Sequence, residues 1–179
     1  LISGEQIFIS ERRGANAIFF GPDRQQVYTL SIAGTITVLD VLRGGVVESL
    51  GAFDEYNGVY AYDPIGGWLA LGSDVGAVQI WDMSARAPIT VLEWNEVPVT
   101  ALGFSPDGTT LAVADRNGTI RFWDFQNGEQ RHSADLLTPV SDMAFAPSGR
   151  VLVLKSGDGV LVMDPSNGRV IASLSNEPT

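Results

Sequence analysis

Apolar positions along this chain fall into short, strand-sized runs, each bounded by Gly, Pro, Asn or Asp. No stretch places apolar residues at helical spacing over ten or more positions, so the pattern predicts an all-β chain with a strand about every ten residues. The region from Val99 to Ser133 shows the grammar. Val99–Phe104 is a mostly apolar strand. Pro106-Asp107-Gly108 is a turn, in which Pro presets φ and Gly accepts a positive one. A second strand follows over 110–114, and Asn117-Gly118 predicts a two-residue type I′ hairpin. Thr119–Asp124, rich in β-branched and aromatic residues, is a third strand. Asn127-Gly128 turns the chain again into a polar outer strand over 130–133.

The same order recurs along the chain. Four segments, ending at Pro22, Pro64, Pro106 and Pro147, begin units whose third strands end at Asp40, Asp82, Asp124 and Asp164. The prolines are 42, 42 and 41 positions apart and the aspartates 42, 42 and 40. A period of about 40–45 residues belongs to four-stranded propeller blades. The expected division is an outer strand of a preceding blade over 1–10, then blades over 11–50, 51–93, 94–134 and 135–179.

Phe104-Ser105-Pro106-Asp107-Gly108, then Leu111-Ala112-Val113-Ala114 and Gly118-Thr119-Ile120-Arg121-Phe122-Trp123-Asp124, resemble the WD-repeat signature. Leu69-Ala70-Leu71-Gly72-Ser73 and Val78-Gln79-Ile80-Trp81-Asp82 repeat it, while Leu39-Asp40 and Met163-Asp164 are degenerate forms of the Trp-Asp pair. The resemblance implies an all-β WD-type propeller of four four-stranded antiparallel blades that acts as a non-catalytic protein-interaction scaffold. The family's Gly-His pair before the inner strand is missing, and its usual turn aspartate falls on Ala33, Val75 and Asn117. The family's hydrogen-bond network is therefore incomplete in every blade, and apolar packing is expected to hold the blades together. Residues 3–10 read as an outer strand with no vacancy to fill, so the expectation is an arc cut from a longer ring, since WD propellers usually close with seven blades; a closed four-blade ring and a dimer closing eight blades are the alternatives. Open blade faces would then allow self-association.

Composition narrows the function classes. The 179 residues are 45% hydrophobic and 18% charged, as in globular chains. There are 21 acids against 11 bases, a net charge of −10, and a chain this acidic repels nucleic acid and anionic lipid. No apolar run reaches the length of a membrane helix, so no membrane insertion is expected. With no Cys and one histidine, His132, the chain offers no disulfide, no zinc site and no catalytic His pair. Gly157-Asp158-Gly159 lacks the spaced acids of a calcium loop, and Gly44-Gly45 and Gly66-Gly67 lead into no phosphate-binding loop. Asn117-Gly118-Thr119 matches a glycosylation acceptor formally but reads as a turn. No cofactor is expected.

What remains is surface. Loops joining each outer strand to the next inner strand (11–16, 53–57, 93–97 and 134–138) line one rim. Two of them place Asp54, Glu55 and Tyr56, then Glu93, Trp94 and Glu96, at matching sites on neighbouring blades. An aromatic flanked by acids suits a basic peptide; packing of Tyr56 and Trp94 between blades is the other reading. Trp68, Trp81 and Trp123 lie in strand patterns and are expected in the core. The rival function is a propeller-containing enzyme or ligand sensor whose site lies in other blades or a fused domain, and a third is a purely architectural arc.

Overall fold

A computed structural model describes residues 15–22, 25–93, 96–157 and 159–175. The proposed outer strand over 1–10 lies outside them. The described residues form four four-stranded sheets, each a meander in chain order in which every neighbouring pair is antiparallel. The first sheet holds β1 (Ala15–Phe20), β2 (Gln26–Ser31), β3 (Thr35–Asp40) and β4 (Gly45–Ala52). The second holds β5 (Tyr56–Asp63), β6 (Trp68–Ser73), β7 (Ala77–Asp82) and β8 (Ala87–Glu93). The third holds β9 (Val99–Phe104), β10 (Thr110–Asp115), β11 (Thr119–Asp124) and β12 (Glu129–Asp135). The fourth holds β13 (Val140–Phe145), β14 (Leu152–Ser156), β15 (Gly159–Asp164) and β16 (Arg169–Ser175).

These are propeller blades, and the burial pattern shows how they stack. The middle strands of the second and third sheets are buried on both faces: β10 runs Leu111, Ala112, Val113, Ala114 without an exposed residue. Such a run suits a strand covered by a sheet on each side. Three cores result. Tyr28, Leu30, Ile36 and Val38 of the first sheet pack on Leu69, Leu71 and Trp81 of the second. Ala70, Val78 and Ile80 pack on Leu111, Val113, Trp123 and Phe125. Ala112, Ile120 and Phe122 pack on Val140, Leu152, Leu154 and Met163. The inner strands β1, β5, β9 and β13 converge on a common hollow of about 630 Å³. No helix of the described residues is long and apolar enough to cross a membrane.

Each sheet carries a register shift at the same place in its outermost pair: Val38/Leu39, Ile80/Trp81, Phe122/Trp123 and Val162/Met163. A bulge here bends and twists the outer strand, as radial packing requires. The third-strand aspartates close the turns that follow. Asp40 accepts the amides of Leu42 and Arg43, Asp82 those of Ser84 and Ala85, and Asp164 that of Ser166. Such side-chain-to-backbone bonds fix a turn locally. Trp81 and Trp123 are buried, and Trp68 is half-buried against the second core, in line with the sequence reading.

The Asn117-Gly118 turn differs from expectation. A type I′ turn needs positive φ at both central residues, whereas Asn117 keeps a negative φ and Gly118 alone is left-handed, at 85°. The Gly118 amide donates to the Asp115 carbonyl at 3.0 Å. Asp115, at the end of β10, decides the geometry: its Oδ1 accepts the amides of Asn117 at 2.9 Å and Thr119 at 3.2 Å. A Cβ on Gly118 would also sit 2.5 Å from the Thr138 carbonyl oxygen, so the close approach of that loop enforces glycine.

Candidate functional site

In a meander blade the turns between second and third strands and the loops between blades lie at one end. Here that end is knitted by hydrogen bonds. Asn57 Nδ2 donates to the Val99 carbonyl at 2.9 Å, the Arg116 amide to Pro98 at 2.9 Å and the Leu136 amide to Gly118 at 2.9 Å. Thr138 and Ser156 share a hydroxyl contact at 2.7 Å. The loops are thereby held as a continuous rim.

The acids of the sequence-predicted patch face solvent on this rim. Asp54 and Glu55 are exposed in the β4–β5 loop, Glu93 at the end of β8 and Glu96 just beyond it. Asp74, exposed in the β6–β7 turn, joins them. Arg116 is the base that these turns and loops carry among the described residues. Trp94 lies outside the described residues.

Tyr56 behaves differently from the exposed aromatic of the patch. Its side chain is 9% exposed and belongs to the core between the first and second sheets. Its hydroxyl accepts a 2.6 Å hydrogen bond from Asn16 Nδ2. The β2–β3 turn presses on it, so that a Cβ on Gly34 would stand 2.9 Å from the Tyr56 Cβ. Tyr56 is therefore a packing residue between blades. Burial pushes its phenol up to about 12, against the opposing hydrogen bond from Asn16. A raised folded value means that the folded chain holds the proton longer than the unfolded one. Its contribution to stability is full below the ordinary tyrosine value of about 10 and is lost as pH rises towards 12. Denaturant midpoints measured from pH 9 to 12 are expected to fall in this window, with a shallower fall in Tyr56→Phe.

Two residues that the sequence reading passed over stand out. Leu137, in the β12–β13 loop, is 90% exposed and holds a left-handed φ of 63°. A leucine in that conformation costs about 1–2 kcal/mol, so the rim presents an apolar side chain at a local cost in stability. Asp115 is buried, with its Oδ2 2.7 Å from Arg121 Nη1. It stands where Ser31, Ser73 and Ser156 end the second strands of the other blades, a repeat position that an internal alignment brings out. Ser31 and Ser73 hydroxyls accept the amides of Thr35 and Ala77 there, as Asp115 accepts that of Thr119. A turn-closing acceptor is thus present two positions before the site where the family's aspartate was sought.

The turn carboxylates at the opposite end are anionic anchors of the same kind. The Ser105 hydroxyl holds Asp107 below the ordinary aspartate range, the Arg131 guanidinium does so for Asp124, and the Ser166 hydroxyl for Asp164. Each is occupied within its own hairpin.

The chain matches a known family. The description Nucleolar protein 10-like, N-terminal domain, fits residues 10–179. The chain belongs to this WD-repeat β-propeller family. Pre-mRNA-processing factor 19 homolog 2 of Arabidopsis thaliana is 28% identical over 145 residues, 79% of this chain and 27% of that protein. U3 small nucleolar RNA-associated protein 7 of Saccharomyces cerevisiae is 26% identical over 147 residues, 82% of this chain and 26% of that protein. The small ribosomal subunit protein RACK1y of Oryza sativa subsp. japonica is 25% identical over 118 residues, 66% and 35% of the two chains. The propeller therefore aligns with only about a quarter to a third of each of these relatives. WD-repeat relatives of this kind are in general interaction scaffolds.

Proposed function

We propose that this propeller is a non-catalytic scaffold whose acidic rim captures a basic segment of a partner protein. The observation that carries the reading is the set of exposed carboxylates at Asp54, Glu55, Glu93 and Glu96, on neighbouring loops flanked by the Asn57–Val99 and Arg116–Pro98 hydrogen bonds. Fixed like charges on a preformed surface attract an Arg- or Lys-bearing segment and orient it before contact. Trp94 stays in the proposal on its place in the sequence, and Leu137 takes the apolar role first given to Tyr56. The relatives' names include a pre-mRNA-processing factor, an RNA-associated protein and a ribosomal protein. For this chain, the net charge of −10 favours protein over nucleic acid as the direct partner.

The test is fluorescence anisotropy with a labelled peptide of alternating Arg and Gly, beside a labelled single-stranded RNA of the same length. The peptide is expected to bind, more weakly as salt rises, and the RNA to stay free. Replacing the four acids by their amides should weaken peptide binding roughly tenfold, the sum of several exposed pairs of about 0.2–1 kcal/mol each. Leu137→Asn should weaken it further while leaving the fold at least as stable, because Asn tolerates a left-handed φ. Peptide binding indifferent to the four amides, or tight binding of the RNA, would overturn the reading.

A further inference from the structure

An asparagine followed by glycine is open to self-modification, because glycine has no Cβ to keep its backbone nitrogen away from the asparagine side chain. The chain holds four such pairs, Asn57-Gly58, Asn117-Gly118, Asn127-Gly128 and Asn167-Gly168. In three of them the asparagine side chain is tied down by the backbone amide two residues on. Asn57 Oδ1 accepts from Val59 at 3.1 Å, Asn127 Oδ1 from Glu129 at 3.2 Å and Asn167 Oδ1 from Arg169 at 2.9 Å. Asn57 Nδ2 also donates to the Val99 carbonyl, and Asn167 Nδ2 to Asp164 Oδ2. Such side-chain-to-backbone bonds hold the carboxamide in one orientation.

Asn117 is the exception. The amide two residues on belongs to Thr119, and Asp115 Oδ1 takes it at 3.2 Å, together with the Asn117 amide at 2.9 Å. The exposed Asn117 side chain is left with no hydrogen bond among the described residues. The glycine nitrogens are held alike at the three hairpin sites. Gly118 donates to the Asp115 carbonyl at 3.0 Å, Gly128 to that of Asp124 at 2.9 Å and Gly168 to that of Asp164 at 2.9 Å. The backbone therefore does not separate these three sites, and the freedom of the side chain does.

We propose that Asn117 is a site of spontaneous deamidation on the rim. The Gly118 nitrogen gives up its proton and attacks Asn117 Cγ; the new C–N bond closes a succinimide and ammonia leaves. Water then opens the ring at one carbonyl or the other, to aspartate or isoaspartate. Either product sets an ionised carboxylate beside Arg116, the base that these turns and loops carry among the described residues. Isoaspartate also places one more backbone carbon ahead of Gly118, which packs against Thr138 and whose carbonyl accepts the Leu136 amide at 2.9 Å. The turn then loosens its hold on the loop that presents Leu137. This chemistry does not depend on what the rim binds.

The test ages the intact chain in mildly alkaline buffer and maps its peptides by mass spectrometry, with aspartyl and isoaspartyl forms separated by chromatography. Asn117 should convert first, about two- to tenfold faster than Asn127, the factor for one hydrogen bond that must open beforehand. Asn57 and Asn167, each held by a further bond, should be slower again. In urea, where no side chain is held, the four rates should converge. Asn117→Gln should remove the early product and leave the other three rates unchanged. Hydrogen exchange at the Leu136 amide should quicken in chains carrying isoaspartate at position 117. It should keep its wild-type rate in Asn117→Asp, which adds the charge without lengthening the backbone. Another of the four sites converting before Asn117, the same ranking in urea, or an Asn117 that stays intact while the unfolded chain converts would overturn the proposal. Unchanged Leu136 exchange in the isoaspartyl chain would overturn its structural consequence.

Discussion

Asp115→Ala is expected to destabilise the propeller by about 3–5 kcal/mol, the range for removing one partner of a buried ion pair. Asp115 is fully buried, caps two amides of the β10–β11 turn and faces the guanidinium of Arg121. Alanine leaves Arg121 without its carboxylate and the turn amides without their acceptor. Because the Arg121 side chain retains 16% exposure, water softens the loss and the lower end of the range applies. For a domain of this size that corresponds to a fall of roughly 6–12 °C in Tm.

The repeats supply the control. Blade two solves the same turn with Ser73, whose hydroxyl accepts the Ala77 amide, and carries Gln79 where blade three has Arg121. Asp115→Ser with Arg121→Gln transplants that neutral solution and should recover most of the loss, because no charge remains buried. A double-mutant cycle followed by urea unfolding measures the coupling. If the double variant is as unstable as the sum of the two single ones, the ion pair is not the stabilising unit.

Phe122→Ala is expected to cost about 3–5 kcal/mol, the usual loss on truncating a core phenylalanine. The ring is fully buried at the centre of β11, packed in the core between the third and fourth sheets and stacked on His132. Its removal leaves a cavity, and close-packed sheets on either side limit collapse into it. Phe122→Leu, which keeps most of the volume, should lose less than half as much. His132→Ala, from a partly exposed outer strand, should lose about 1 kcal/mol, the scale of one aromatic contact. Differential scanning calorimetry distinguishes these. If Phe122→Ala melts at the wild-type temperature, the seam between the last two blades does not take part in the cooperative transition.

The sequence alone determined the repeat, the all-β class and the strand–turn order of each unit, because these depend on neighbours a few positions apart. β9 and β11 were read with their observed bounds: alternation, β-branched runs and Gly or Pro breaks act locally. The buried Trp81 and Trp123 were legible for the same reason, since a large ring in an apolar strand has few other places to go. The solvent-facing acids of the rim followed from loop position alone.

Only the tertiary structure decided what depends on the neighbouring blade. Tyr56 sits in a loop-like sequence just after two acids, yet the β2–β3 turn of the preceding blade covers it. The type of the Asn117-Gly118 turn was set by the Asp115 carboxylate and by the close approach of Thr138, which no dipeptide preference contains. Strand pattern is a property of the chain with itself over a few residues. Burial and the close approach of loops are properties of blade against blade, fixed by contacts such as Gly34 with Tyr56 and Gly118 with Thr138, which join residues too far apart in the chain for a local window to hold.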